Sequence, residues 1–417
     1  LLAFALAFGT RVTYILATKS YTVVVFPGEM ERVARNLAEH GELANAYGPH
    51  SGPSSHVAPL YPALLSLIYR AFGTDSTGRL VQELCATAVS SLAIALLALV
   101  PTRGLHKNAG LTAALVSAIL PVNLWVETSG SWEQPYSAFV LMLTCISLIS
   151  LHENRWSAIS QCVSLGLLLG LGALISPVIV PAGGLMFLAE LVSHREARAR
   201  VIRGGLIIGL LSMLIVAPWT YRNYKVFGAF VPIRSSFGLA FWLGNNPKSD
   251  GTPWGAEMEH PMYNAQELQL VTGIGEVKYG RRKLQDALKW IHDNPGNFTQ
   301  LTLWRVRMFW FPSAEMWPRK ATAVRFKFLL VNLFAVGGLA GLLSLWLRCN
   351  PLRFLLTAAL FGASATYAIS FVDLRYRYPI YGLLLLLSSE FFWHTLDRSR
   401  LLCQKLDNAR KEATRSH

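Results

Sequence analysis

Runs of about 20 mostly apolar residues recur along most of the chain, and no other feature restricts its fold as strongly. Coiled as an α-helix, a run of that length crosses the hydrocarbon of a bilayer and satisfies its backbone N–H and C=O groups within one segment. Composition agrees. Of 417 residues, 53% are hydrophobic and 15% charged, with a mean hydropathy of +0.37, which is too apolar for an ordinary soluble protein. The expected class is an all-α polytopic membrane protein. The chain opens inside an apolar run, LLAFALAFGTRVTYILA, read here as a membrane helix with an expected start upstream of Leu1.

Ten spans are expected, at about residues 1–18, 79–100, 109–126, 132–151, 158–175, 177–192, 204–221, 326–347, 352–371 and 379–396. The net charge of +14 would suggest nucleic acid in a soluble chain, but here much of it sits in short segments between apolar runs, so no nucleic-acid partner is expected. Placing 101–108 in the cytoplasm also places there HENRW (152–156), SHREARARVIR (193–203), RCNPLR (348–353) and the tail from Asp397. All are basic, whereas the short segments opposite, 127–131 and the turn near Pro177, contain no Lys or Arg, which is the positive-inside asymmetry. The expected organisation is an N-terminal transmembrane module, 1–221, carrying a first extracytoplasmic loop at 19–78. A large extracytoplasmic loop follows at 222–325, then C-terminal helices at 326–396 and a basic tail at 397–417. Five cysteines show no metal or redox spacing and read as reduced packing residues.

The first loop contains an amphipathic helix, EMERVARNLAEHG, ended by Gly41, and a short apolar piece, PLYPALLSLIYRAFG, expected along the membrane surface. The second has a helix expected at about 276–292, stopped by Asn294-Pro295, then NFTQLTLWRVRMFWFP with interfacial aromatics. DLRYRYPI (373–380) falls on the same outer side, where Lys and Arg should be scarce. Two roles fit Arg375 and Arg377: snorkelling to headgroups or pairing with Asp373, or meeting an anionic ligand such as a lipid-linked phosphate, which forked guanidinium donors suit. Arg11, late in the first span, and Glu29, Glu31, Glu127 and Glu133 converge on that side. For the acidic residues at helix starts, dipole complementation or capping is the plainer reading. Together they outline an outward-facing cavity in which a carboxylate acts as general base on an acceptor while arginines stabilise a departing phosphate.

These stretches resemble the polyprenyl-phosphate-dependent glycosyltransferases of the GT-C fold, in the branch of protein O-mannosyltransferases and lipid A aminoarabinose transferases. The likeness is carried by residues 29–73, by APWTYRNYKVFGAFVPIRSSFGLAFWLGNNP (217–247), by residues 274–312 and by RYRYPI. It implies a GT-C-like bundle of about ten transmembrane helices with two large extracytoplasmic loops, in a bacterial plasma membrane, with its active site outside. It implies inverting transfer of a sugar from a polyprenyl-phosphate donor to an extracytoplasmic glycan, lipid or protein, with membrane lipids around it. Glu29 is the expected acceptor base and Glu31 the reserve, although many relatives carry aspartate nearby. Glu133 matches the second-loop acidic position, facing the acceptor or a divalent cation. Aminoarabinose-type relatives carry a lysine before Pro-Pro-Leu; Val57-Ala58-Pro59-Leu60 stands here, with His56 adjacent as a substitute phosphate donor or a plain loop histidine. Arg222 and Arg234 lie in the matched late-loop entry, lining the donor path or anchoring the interface. The competing readings are a flippase or transporter of isoprenoid-linked glycans and a non-catalytic assembly subunit.

Overall fold

The computed structural model describes residues 1–23, 27–100, 104–120, 124–128, 130–154, 156–313, 316 and 321–415; among them the regular elements are all helices. One isolated bridge, Ala44 to Pro53, is the exception to helix and loop. In chain order, α1 (Leu2–Thr18) leads to α2 (Glu29–His40), α3 (Leu60–Phe72), α4 (Ser76–Leu97), α5 (Ala109–Ile119) and α6 (Leu124–Thr128). Then come α7 (Gln134–Glu153), α8 (Ile159–Ile175), α9 (Ile179–Ser193) and α10 (Arg198–Phe227). The second long loop holds α11 (Phe237–Gly244), α12 (Ala265–Ile274), α13 (Glu276–Asp293) and α14 (Pro295–Trp310). The chain ends with α15 (Ala321–Leu347), α16 (Arg353–Ile369), a 3-10 segment Leu374–Ile380 and α17 (Tyr381–Arg415).

Among the described residues, four helices are long and apolar enough to cross a membrane: Ser76–Leu97, Gln134–Glu153, Arg195–Phe227 and Lys327–Leu347, the third counted with the short turn before it. Shorter apolar helices pack beside them. The expected span at 109–126 divides, because α5 ends at Ile119 and Leu120 is extended (ψ 114°). Leu120 precedes Pro121, and a residue before proline is disfavoured in the helical region. The expected span at 204–221 sits inside the longer α10, and α17 runs on through the basic tail.

Close helix pairs carry the bundle: α8 along α10, α9 along α16, and α15 along α17. Between apolar helices in lipid, small residues let backbones approach and gain dispersion contacts. Gly341 shows how tightly, since a Cβ there would lie 2.0 Å from the Leu387 carbonyl oxygen. The largest core runs through the bundle interior and includes Leu141, Ile149, Met186, Leu355 and Leu387.

Both long loops gather at one end. α2 begins at Gly28 and stops at Gly41, whose φ of 76° suits a residue without a side chain. It packs on α3 through Ala34, Tyr61, Leu65 and Tyr69. Buried Glu276, first residue of α13, joins the loops by accepting from the Ser54 hydroxyl (2.6 Å), the Ser55 N–H (2.8 Å) and the Ser235 hydroxyl. At the opposite end Arg348 pairs with buried Glu390 (2.8 Å), which also accepts from the His106 backbone N–H.

Candidate active site

The first residue of α2 is where the two loops meet chemically. Glu29 Oε1 lies 3.1 Å from His260 Nε2 and 3.7 Å from His56 Nε2. Its side chain is 27% exposed while both rings are nearly covered. Burial pushes the Glu29 carboxyl pKa up, but hydrogen bonds and positive charge from His260 and His56 outweigh it and hold the group well below the usual carboxylate range. The protons can be placed. The Met262 backbone N–H donates to His260 Nδ1 at 3.2 Å, so a neutral ring carries its hydrogen on Nε2, toward Glu29. Tyr47 Oη meets His56 Nδ1 at 2.8 Å, and burial first, then Glu276, Tyr279 and Glu29, push the phenol pKa well up, so it stays protonated. Two imidazoles and a carboxylate with ligand atoms within 4.8 Å also suit a borderline divalent cation. At His260, coordination through Nε2 requires that ring to release the Met262 hydrogen bond.

Glu31 faces elsewhere. It holds Arg35 Nη2 at 2.6 Å and accepts from the Ser131 hydroxyl at 3.1 Å. Glu133, at the start of α7, holds Arg234 Nη2 at 3.1 Å while its Oε2 is buried with no partner among the described residues. Arg375 lies near this pair: its guanidinium carbon is 3.6 Å from the Trp132 ring centre and its Nε is 3.4 Å from Asp373 Oδ2. Tyr376 beside it stacks on Tyr367 with ring centres 4.1 Å apart. Tyr263, between the clusters, feels the charge of both Glu29 and Arg375.

The two late arginines diverge. In a 3-10 turn, residues two apart leave the axis roughly 120° from one another, so Arg375 reaches Trp132 while Arg377 turns inward beside the Tyr381 ring, 5.4 Å away. Arg377 is 0% exposed, and Nε, Nη1 and Nη2 all lack a hydrogen-bond partner among the described residues. Arg11 is in the reverse position. It is buried against Glu127 at 3.1 Å, and Glu127 also accepts from the Tyr378 hydroxyl at 2.6 Å. Arg222 donates to the carbonyls of Ser54 (3.0 Å) and Leu43 (3.1 Å) and lies over Trp219, fastening the first loop to the end of α10.

Sequence reasoning passed over His260, Trp132 and Glu276. The only local sign of His260 was its place before Pro261 in a polar, turn-rich patch, which carries no hint of Glu29.

An apolar helical bundle with two long segments folded over one end resembles the GT-C fold. Solved structures with this fold include oligosaccharyltransferases from Archaeoglobus fulgidus. The apo form aligns with a TM-score of 0.57 at 17% identity, over 98% of this chain and 51% of that one. The archaeal oligosaccharyltransferase AglB in complex with an inhibitory peptide and a dolichol-phosphate gives 0.54 at 20% identity, over 97% and 52%. The complex with Zn and sulfate gives 0.51 at 18%, over 89% and 45%. The chain thus spans about half the length of these proteins. In sequence, residues 56–221 match the dolichyl-phosphate-mannose-protein mannosyltransferase family, a stretch from His56 to Tyr221 that is less than half of the chain. No curated protein matches the chain.

Proposed function

We propose that this chain is an integral-membrane glycosyltransferase that moves a sugar from a polyprenyl-phosphate carrier to an acceptor at the loop-bearing, extracytoplasmic end. The observation that carries the reading is Arg377, a fully buried guanidinium with three unpartnered nitrogens, at the end of the bundle where the ionised Glu29 stands. A buried charge whose N–H donors meet no acceptor is costly, and a phosphate oxygen is the acceptor that a guanidinium fork fits best. A lipid-borne phosphate reaches such a site within the membrane plane. The dolichol-phosphate in the AglB complex and the match at residues 56–221 point to the same donor class.

In the proposed reaction an acceptor hydroxyl or amine attacks the anomeric carbon from the face opposite the phosphate. The carbon–oxygen bond to phosphate breaks, its electron pair stays on the phosphate, and the acceptor proton passes to Glu29. A single displacement inverts the anomeric centre. Arg377 offsets the charge on the departing phosphate, and Glu133 with Arg234 positions the acceptor beside Trp132 and Arg375. Glu31 serves as a second carboxylate that shapes α2. A divalent cation held by Glu29, His56 and His260 would add Lewis-acid activation of the acceptor oxygen. A plasma-membrane location in a bacterium belongs to the same proposal.

The test is purified protein in nanodiscs given a polyprenyl-phosphate sugar labelled in the sugar. Cleavage of the carrier that disappears in Glu29→Ala and Arg377→Ala, both still folded, is the expected result. Movement of labelled lipid between leaflets without cleavage would instead establish the translocation reading.

A further inference from the structure

A second histidine–carboxylate cluster lies at the other end of the bundle. α7 starts beside Glu133 and carries His152 near its far end, about 28 Å away at a rise of roughly 1.5 Å per residue. There His152 Nδ1 is 3.1 Å from both carboxylate oxygens of Glu190 on α9, and His194 Nδ1 is 3.3 Å from Glu190 Oε2. Glu190 is 0% exposed. The two rings meet at 4.2 Å between centres, and the Trp156 indole N–H donates to Glu190 Oε2 at 3.0 Å.

The proton positions separate this cluster from the one around Glu29. His194 Nε2 lies 3.2 Å from the His152 carbonyl oxygen, which can only accept, so Nε2 carries the hydrogen. In the neutral ring that leaves a bare lone pair on Nδ1, and it faces a carboxylate, which also only accepts. Nδ1 is buried and has no hydrogen-bond partner among the described residues. At His260 the fixed tautomer points a hydrogen at the carboxylate; at His194 it points a lone pair. An acceptor facing an acceptor calls for positive charge between them, either a proton on Nδ1 or a metal ion, and the His152 nitrogen converging on the same carboxylate gives a metal ion a third ligand. The second ring nitrogen held by a backbone carbonyl is also the arrangement that orients metal-ligating histidines. The distances fit, because four ligands at roughly 2.0–2.1 Å in a tetrahedron stand about 3.3 Å from one another.

We propose that His152, Glu190 and His194 form a metal site for a borderline divalent cation of the zinc type, with water in the fourth position. The ion ties the end of α7 to that of α9, just before α10 begins. It lies a membrane thickness from the donor chemistry and does not depend on it.

The experiment uses the full chain in nanodiscs with Glu29→Ala and His260→Ala, so that metal at the outer cluster cannot contribute and activity is not the readout. Stripped protein is titrated with Co2+ and followed by the visible bands of tetrahedral cobalt and by metal content after gel filtration. One equivalent of tetrahedral Co2+, weakened at least tenfold by either Glu190→Gln or His194→Ala, is the expected result. No bound cobalt, or binding unchanged in both variants, overturns the site. Should the variants fold poorly, the parent decides by carbethoxylation: Zn2+ is expected to protect His152 and His194 while leaving exposed His40 reactive. Equal modification of His152 and His194 with and without Zn2+ overturns the proposal as well.

Discussion

At the scale of single residues the molecule separates charges by whether they already have partners. Arg11, Arg222 and Arg234 are matched by Glu127, by carbonyls and by Glu133, so their charge is spent within the protein. Arg377 is not, and this gives its replacement an unusual signature. Apart from the Tyr381 ring face, 5.4 Å away, that buried charge has no hydrogen-bond or ion-pair partner among the described residues, so its removal relieves a desolvation cost and Arg377→Met should keep or raise the unfolding temperature. The same variant should lower kcat/KM for the lipid donor by roughly 30-fold or more, since losing one side of a desolvated ion pair costs about 2–5 kcal/mol. Parallel thermal scans and donor titrations check it, and joint loss of stability and activity would mark Arg377 as structural. For the carboxylates, Glu29→Gln removes the proposed base and should slow turnover by about 10^2 to 10^4. Glu31→Gln keeps its hydrogen-bonding shape toward Arg35 and Ser131 and should stay within about tenfold. Equal losses in the two would reassign the base.

At the scale of elements, what could be read in advance was what depends on neighbours in sequence. Apolar period, a glycine able to adopt positive φ at position 41 and the Asn294-Pro295 junction are local signals, and helices begin or end at each. Leu120 is the instructive exception: average apolarity ran through 109–126, but the proline that follows it weighs more than hydropathy in deciding where a helix ends. Pairings such as Arg11 with Glu127 and Tyr378, or Glu29 with His260, come from distant segments that touch only after packing, and a single sequence carries no record of them. The arginines of RYRYPI read as a pair because spacing in sequence says nothing of direction until the 3-10 turn is known. Helix contact makes its own prediction. In Gly341→Ala the new methyl would strike the Leu387 carbonyl, backbone that cannot swing aside, so α15 must shift from α17 at a cost of about 1–3 kcal/mol or more. Gly9→Ala, inside α1 with nothing within 4 Å of the added carbon, is the control and should be neutral or stabilising by up to about 1 kcal/mol. Unfolding in one detergent compares them directly.

The whole molecule presents two polar ends separated by an apolar middle. One end collects both long loops, the Glu29 cluster, the Glu133–Arg234 pair and Arg375; the other collects His106, Glu190, Arg348 and Glu390. A donor whose sugar and phosphate ride on a membrane-bound chain can use only the end where its headgroup lies, so the proposed transfer requires the loop-bearing end to face the compartment that supplies both donor headgroup and acceptor. The basic segments at the other end favour the cytoplasm for that side. Cys349 and Cys403 are exposed there, and Met258 is exposed in the second loop, which gives natural reporters for each side. In intact cells a membrane-impermeant maleimide should label Met258→Cys readily and should reach Cys349 and Cys403 only after the membrane is opened. Labelling of the two natural cysteines without opening, with Met258→Cys left unlabelled, would put Glu29 on the wrong side of the bilayer for extracytoplasmic transfer, even though the fold stayed as described.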